Sequence, residues 1–150
     1  MVTKIPSLYD GHEDYKIQYT FNKIRSILQK LNANINASSK FILLPFTFND
    51  IGVPVISTDL IPAGAIIVQT VVEVLSAFDG GATLVVGVNS VPPITIQNQS
   101  ENNLLVPGIY VVDNWPAATP GSGHAVVALA GAPTTGSGAV IIEYVPATYT

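Results

Sequence analysis

IPAGAIIVQTVVEVLSAFDGGATLVVGV, residues 61–88, is the stretch whose reading decides the fold. It divides into two apolar runs around Ser76-Ala77-Phe78-Asp79-Gly80-Gly81. The first run is rich in Ile and Val, whose branched side chains suit a pleated surface and lose rotamer freedom in a helix. Successive side chains of a strand point to opposite faces. On that alternation Ile66, Val68, Thr70, Val72 and Val74 share one face, and Ile67, Gln69, Val71 and Glu73 share the other. The second face mixes polar and apolar residues, which predicts a strand covered on both sides or one facing a neighbouring subunit. Two glycines accept positive φ without strain, and Asp79 can accept bonds from nearby backbone amides, so the middle segment reads as a turn. Thr83 to Val86 resume the extended pattern.

The same rhythm runs outward from this pair. Strands are expected at about 41–48, 51–57, 65–75, 82–88, 93–97, 104–112, 124–130 and 139–145. Clusters of Gly, Pro, Asn and Asp separate them. Eight short strands at this spacing predict a mainly β, antiparallel sandwich or barrel. Pro45, Pro54 and Pro107 fall inside strand candidates, which predicts edge or bulged strands there. In the last strand Val140, Ile142 and Tyr144 alternate with Ile141, Glu143 and Val145.

Ahead of this body the pattern changes. From residue 14 to about 35 the apolar residues Ile17, Phe21, Ile24, Leu28, Leu31 and Ile35 recur at steps of four and three, the spacing of a coiled-coil seam. An N-terminal α-helix is expected here, with Asp14 as N-cap and Glu13 and Asp14 at the positive end of its dipole. Such a helix either gathers copies through its seam or lies on its own domain, and Ile27 widens its apolar face in the second direction. Residues 32–40, NANINASSK, form a polar linker. Charge breaks at the same place. All six basic residues lie in residues 1–40, which carry a net +3, while residues 41–150 hold seven acids and no base, for a total of −4. Two parts follow: an arm and oligomerisation or anchoring helix over 1–40, and a β domain over 41–150.

Composition narrows the function. Charged residues make up 11% of the chain, against about 25% in an ordinary soluble domain. The expected consequence is surface hidden in an oligomer or larger assembly. An acidic body without Lys or Arg lacks the cations that neutralise phosphate, so no nucleic-acid partner is expected. No membrane partner is expected either, since no apolar run reaches the ~18 residues of a membrane span. The first fifteen residues lack the apolar core of a signal peptide, and the absence of cysteine fits synthesis in a reducing cytoplasm.

Candidate chemistry is sparse, and no enzyme activity or cofactor is expected. Asp10, His12, Glu13 and Asp14 cluster in five residues, but no helical His pair or second cluster completes a metal site, and the segment reads as a turn entering a capped helix. Ser122 and His124 would need a third group and an oxyanion hole to act as a nucleophilic pair. The Gly-rich segments at 80–81, 121–123 and 136–138 have neither phosphate-loop spacing nor a following helix. Trp115, beside Asp113 in a long loop, either binds a sugar or partner protein or caps the sandwich end.

Residues 61–88, PGIYVV at 107–112 and GAPTTGSGAVIIEYV at 131–145 together resemble a group of small virion proteins of tailed bacteriophages. The shared features are an Ile-Pro-Ala-Gly-like turn opening a strand, an Ala-Phe-Asp-Gly turn, and a last hairpin leading to a Val-rich Glu-Tyr strand. The match spans about 85 of the 150 residues and excludes the first 50. The resemblance implies a β-sandwich, often a jelly roll, in capsid decoration proteins, head fibres or tail-fibre modules. It also implies a homotrimer, with capsid or other virion proteins as partners and the virion as its location. Two functions remain open at this point: a structural virion protein docked through its N-terminal segment, and an adhesin binding a host-surface glycan through loops at the sandwich end.

Overall fold

A computed structural model describes residues 39–147, together with the single helical residue Ile24. The chain divides into two compact units, Met1–Ser38 and Ser39–Thr150. The expected arm and helix lie outside the described residues except at Ile24. Within the second unit the eight strands are β1 (Lys40–Thr47), β2 (Val55–Ile61), β3 (Ile66–Ser76), β4 (Thr83–Val88), β5 (Ile94–Gln97), β6 (Gly108–Asp113), β7 (Gly123–Ala130) and β8 (Ser137–Val145). They form two four-stranded sheets, β1-β8-β3-β6 and β2-β7-β4-β5, with every pair antiparallel. Strands 1 and 8, 2 and 7, 3 and 6, and 4 and 5 are neighbours, which is the winding of a jelly roll.

The sheets bury their facing sides against one another. From the first sheet come Ile42, Leu44 and Phe46 of β1, Val72 and Val74 of β3, and Val140, Ile142 and Tyr144 of β8. From the second come Leu84, Val86 and Val88 of β4 and Ala125, Val127 and Leu129 of β7. Alternation of buried and less buried positions along β4, and along β8 as far as Tyr144, follows from the two-residue period of a strand. Each of these side chains removes apolar surface from water, worth roughly 25 cal/mol per Å².

Three expectations need correction. Residues 51–54 are not strand: Thr47 opens a short 3-10 turn at Phe48–Asp50, where the Asp50 carboxylate accepts the Thr47 amide at 2.7 Å, and β2 begins only at Val55. Pro54 therefore lies outside the sheet. Residues 104–107 are likewise loop, because β6 starts at Gly108, directly after Pro107. Pro45 does lie in a strand, β1, at the edge of its sheet.

The third correction concerns the faces of β3. Pairing with β8 runs Ile67 to Tyr144 and then Gln69 to Glu143, so Val68 is an extra residue. A bulge of this kind reverses which side chains point inward. Ile67 is completely buried before it, and Thr70, Val72 and Val74 are buried after it, while Ile66 and Val68 are only partly covered. A second bulge at Leu75 leaves that side chain exposed.

At one end of the sandwich the 77–82 turn meets the β7–β8 loop. The Asp79 carboxylate accepts the Thr134 hydroxyl at 2.7 Å and the backbone amides of Thr134 and Thr135. Ala132 donates its amide to the Gly80 carbonyl at 3.0 Å. Beneath this clasp the Phe46 and Phe78 rings stack with centroids 5.7 Å apart. Gly136 lies over Phe78 at φ +125°, and a Cβ there would overlap the ring. Gly136→Ala is therefore expected to cost about 1–3 kcal/mol through overpacking, read from urea unfolding. The Thr134 hydroxyl, and then the two amides, hold the Asp79 carboxyl down at about 2. A depressed acid stabilises the fold above its unfolded value near 3.8 and loses that contribution as pH falls towards 2. Asp79→Ala is expected to lower Tm at pH 7, with wild-type and variant melting curves converging between pH 4 and pH 2.

Candidate functional site

The features able to bind a partner are surfaces. Strand connections place the loops at 62–65, 89–93 and 114–122 at the end where β1 begins and β8 finishes. The loops at 48–54, 77–82, 98–107 and 131–136 crowd the opposite end. Lys40, through which the chain enters the sandwich, therefore shares an end with Trp115.

The 113–115 segment is built from three side chains with different tasks. Asp113 ends β6, and its Oδ1 accepts the Trp115 amide at 3.0 Å. Asn114 ties the two sheets together. Its Oδ1 accepts the Thr70 hydroxyl at 2.7 Å, its Nδ2 donates to the Ile96 carbonyl at 2.6 Å, and its amide donates to the Val68 carbonyl at 3.0 Å. This explains a polar Thr70 among the buried residues of β3, since a buried hydroxyl without a partner would cost stability. It also gives the bulge at Val68 a backbone partner. Trp115, 52% exposed, projects from the anchored loop. Sequence reasoning singled out Asp113 and Trp115 but missed Asn114, whose role depends on strands distant in the chain.

The other candidates within the described residues do not assemble into a site. Ile17, Phe21, Leu28, Leu31 and Ile35 lie outside the described residues, as does the Asp10–Asp14 cluster; Ile24 is about half exposed. His124 sits near the start of β7 with its amide bonded to the Asn89 side chain at 2.6 Å. Its Nδ1, the atom a third catalytic group would hold, is buried without a hydrogen-bond partner. Among the described residues no group of three or more His, Asp or Glu could hold a metal, and no helix is long and apolar enough to cross a membrane. A recess of about 230 Å³ beside the start of β4 is lined by Ala82, Thr83, Asn102 and Leu104 among others. No ionisable side chain lines it, so acid–base chemistry has no group there.

A broader feature covers the outer face of the β1-β8-β3-β6 sheet. Residue pairing aligns its outward side chains in rows that cross all four strands. The middle row, Leu43-Ile141-Val71-Val111, is apolar from edge to edge. On one side of it runs Phe41-Glu143-Gln69-Asp113, with Gln69 donating to Glu143 at 2.9 Å. On the other runs Pro45-Ala139-Glu73-Ile109. Phe41, Leu43, Ile109 and Val111 are each more than half exposed. Contiguous apolar surface of this kind marks an interaction face.

No protein-family model and no curated protein sequence matches the chain. Solved structures do. A chain from the capsid asymmetric unit of cyanophage Pam1 matches with a TM-score of 0.55 at 18% identity, covering 74% of this chain and 86% of that one. The capsid of Ralstonia phage GP4 gives 0.49 at 20%, covering 75% and 86%. The acidic stable capsid structure of Helicobacter pylori bacteriophage KHP30 gives 0.49 at 16%, covering 71% and 86%. The eight-stranded sandwich is thus a fold that this chain shares with a chain of the cyanophage Pam1 capsid asymmetric unit.

Proposed function

We propose that the protein is a structural component of a tailed-phage virion. In this reading it is a trimeric capsid decoration or head-fibre protein, docked through its N-terminal segment and carrying the sandwich outward. The observation that carries the proposal is the jelly roll shared with the cyanophage Pam1 capsid chain. The motifs resembling small phage virion proteins support it independently. Two of them, the Ala-Phe-Asp-Gly turn and the Thr-Thr-Gly loop, meet in the Asp79 clasp. The low charge content and the exposed apolar face suit a protein whose work is to bind other copies and other shell components.

The contribution of each part follows from its chemistry. The basic segment 1–40 is suited to an acidic shell surface, and its seam residues Ile17, Phe21, Ile24, Leu28, Leu31 and Ile35 gather three copies. Docking through that segment turns the Lys40 end of the sandwich toward the shell and the Asp79 end away from it. The mechanism is binding throughout, with no reacting group.

A second reading is favoured by one observation, the exposure of Trp115 on a loop anchored by Asn114. An exposed indole on an anchored backbone offers a stacking surface for a sugar ring. In this reading the sandwich is a tail-fibre or adhesin module that binds a host-surface glycan.

Labelling of virions of the source phage with an antibody against this protein is expected to decorate the head; particles that never carry the label would refute the structural reading. Leu28→Asp is expected to reduce the mass of the purified protein from trimer to smaller species in light scattering, and an unchanged mass would remove the seam. If the adhesin reading holds, Trp115→Ala abolishes binding to host cells while the circular dichroism spectrum stays that of the wild type.

A further inference from the structure

We infer that the Asp79-Gly80 bond is a site of spontaneous aspartate isomerisation, and that the contacts to Thr134 and Thr135 are the lock that keeps it in the ordinary aspartyl form. The inference is independent of the reading of the protein as a virion component.

In an Asp-Gly pair the glycine nitrogen can attack the aspartate Cγ, because no Cβ on the following residue hinders its approach. The N–Cγ bond forms and a Cγ–O bond of the protonated carboxyl breaks. Its hydroxyl leaves as water with the proton of the glycine amide. Water then opens the cyclic imide at either carbonyl. Opening at the side-chain carbonyl restores aspartate, and opening at the main-chain carbonyl gives isoaspartate, in which the chain runs through Cγ. Water is the only other reactant.

The chain holds two Asp-Gly pairs, Asp10-Gly11 and Asp79-Gly80. The fold itself imposes the second. Asp79 supplies the carboxylate that takes three donors from the β7–β8 loop. Gly80 adopts φ +61°, and a Cβ there would overlap the Ala132 carbonyl. Neither residue can change without loosening the same turn, so a chemically labile pair comes with the architecture.

Those contacts also withhold the geometry that attack requires. The carboxyl must swing onto the Gly80 nitrogen, and reacting atoms must meet at about 3–3.5 Å with their orbitals aligned. Instead Oδ1 accepts the amides of Thr134 and Thr135, and Oδ2 accepts the Thr134 hydroxyl at 2.7 Å. The backbone is pinned on both sides of the bond. Phe78 donates its amide to the Leu104 carbonyl at 2.9 Å, Ala82 to the Asp79 carbonyl at 3.2 Å, and Ala132 to the Gly80 carbonyl at 3.0 Å. Protonation adds a second restraint, since a carboxylate is a poor electrophile. Hydrogen bonds to the charged form keep it charged, and here the Thr134 hydroxyl, followed by the two amides, holds the carboxyl at about 2. Asp79 and Gly80 are both exposed, so the lock is one of hydrogen bonds and not of burial. Isoaspartate adds a main-chain carbon to the turn and leaves the carboxylate on Cα, where it no longer meets Thr134 in the same way. A clasp that opens and isomerises therefore does not reclose.

A protease that cuts on the amino side of aspartate does not cut at isoaspartate, which gives a direct readout. The full-length protein is aged at mildly acidic pH, then denatured and digested. Lost cleavage before Asp79 at unchanged mass reports conversion, with cleavage before Asp59 and Asp113 as the standard. Folded wild type is expected to keep Asp79 through an incubation in which concentrated urea converts it alongside Asp10. Thr134→Val, an exposed change that removes only the hydroxyl bond, is expected to speed conversion several-fold in the folded protein. Val127→Ala, which weakens the core and leaves the clasp side chains in place, is expected to stay at the wild-type rate. Folded wild type converting as fast as in urea, or Thr134→Val converting no faster than wild type, would overturn the inference. So would Val127→Ala matching Thr134→Val, because global unfolding and not the clasp would then set the rate.

Discussion

Antiparallel pairing of β3 with β8 is the contact on which the rest of the sandwich depends. β8 is the last strand in sequence, and it lies between β1, the first, and β3. Its insertion there closes the first sheet and brings the two ends of the domain together. The pairing also sets which side chains face the second sheet. Between Ile67 and Gln69 it steps over Val68, and the inward set changes from odd to even residue numbers at that point. Without the step, either Ile67 or the Thr70-Val72-Val74 series would point outward. Asn114, directly after β6, supports it: its amide bonds the Val68 carbonyl, and its side chain bonds the Thr70 hydroxyl and, across the core, a carbonyl of β5. One residue thus braces the bulge through its backbone and links the two sheets through its side chain.

Much of this was legible in the chain itself. Branched residues and turn clusters located all eight strands, since burial on one face imposes a two-residue period that propensity reinforces. The alternation of β8 was read correctly from Val140 to Tyr144, while Val145, expected on the opposite face, is buried as well. The faces of β3 were not, because a bulge carries no local mark: Val68 resembles its neighbours, and only its partner strand shows it to be extra. The start of β2 was misplaced for a related reason. Ile51 and Val53 look like strand residues, and the capped turn at Thr47–Asp50 that redirects the chain before them is a matter of side-chain bonds. The Asp79–Thr134 clasp was out of reach because its halves stand 55 residues apart. Trp115 and Asp113 were visible as unusual residues, while the seam from Ile17 to Ile35 belongs to residues the structure does not describe apart from Ile24.

The distribution of charge is as uneven in the structure as it is along the chain. Seven acids and no base occupy residues 41–150, yet the outward face of one sheet has an uncharged row across its full width. An acidic body keeps unrelated copies apart in solution through long-range repulsion.

The nearness of Lys40 to Tyr144 has a practical consequence. Both ends of the domain leave the sandwich on the same side, and four connections, including the long one over 98–107, cluster at the far pole. A foreign epitope spliced into that connection would stand clear of any support to which the domain is fused by either terminus. The scaffold is therefore laid out for presenting cargo, with its attachment and its display surface at opposite poles.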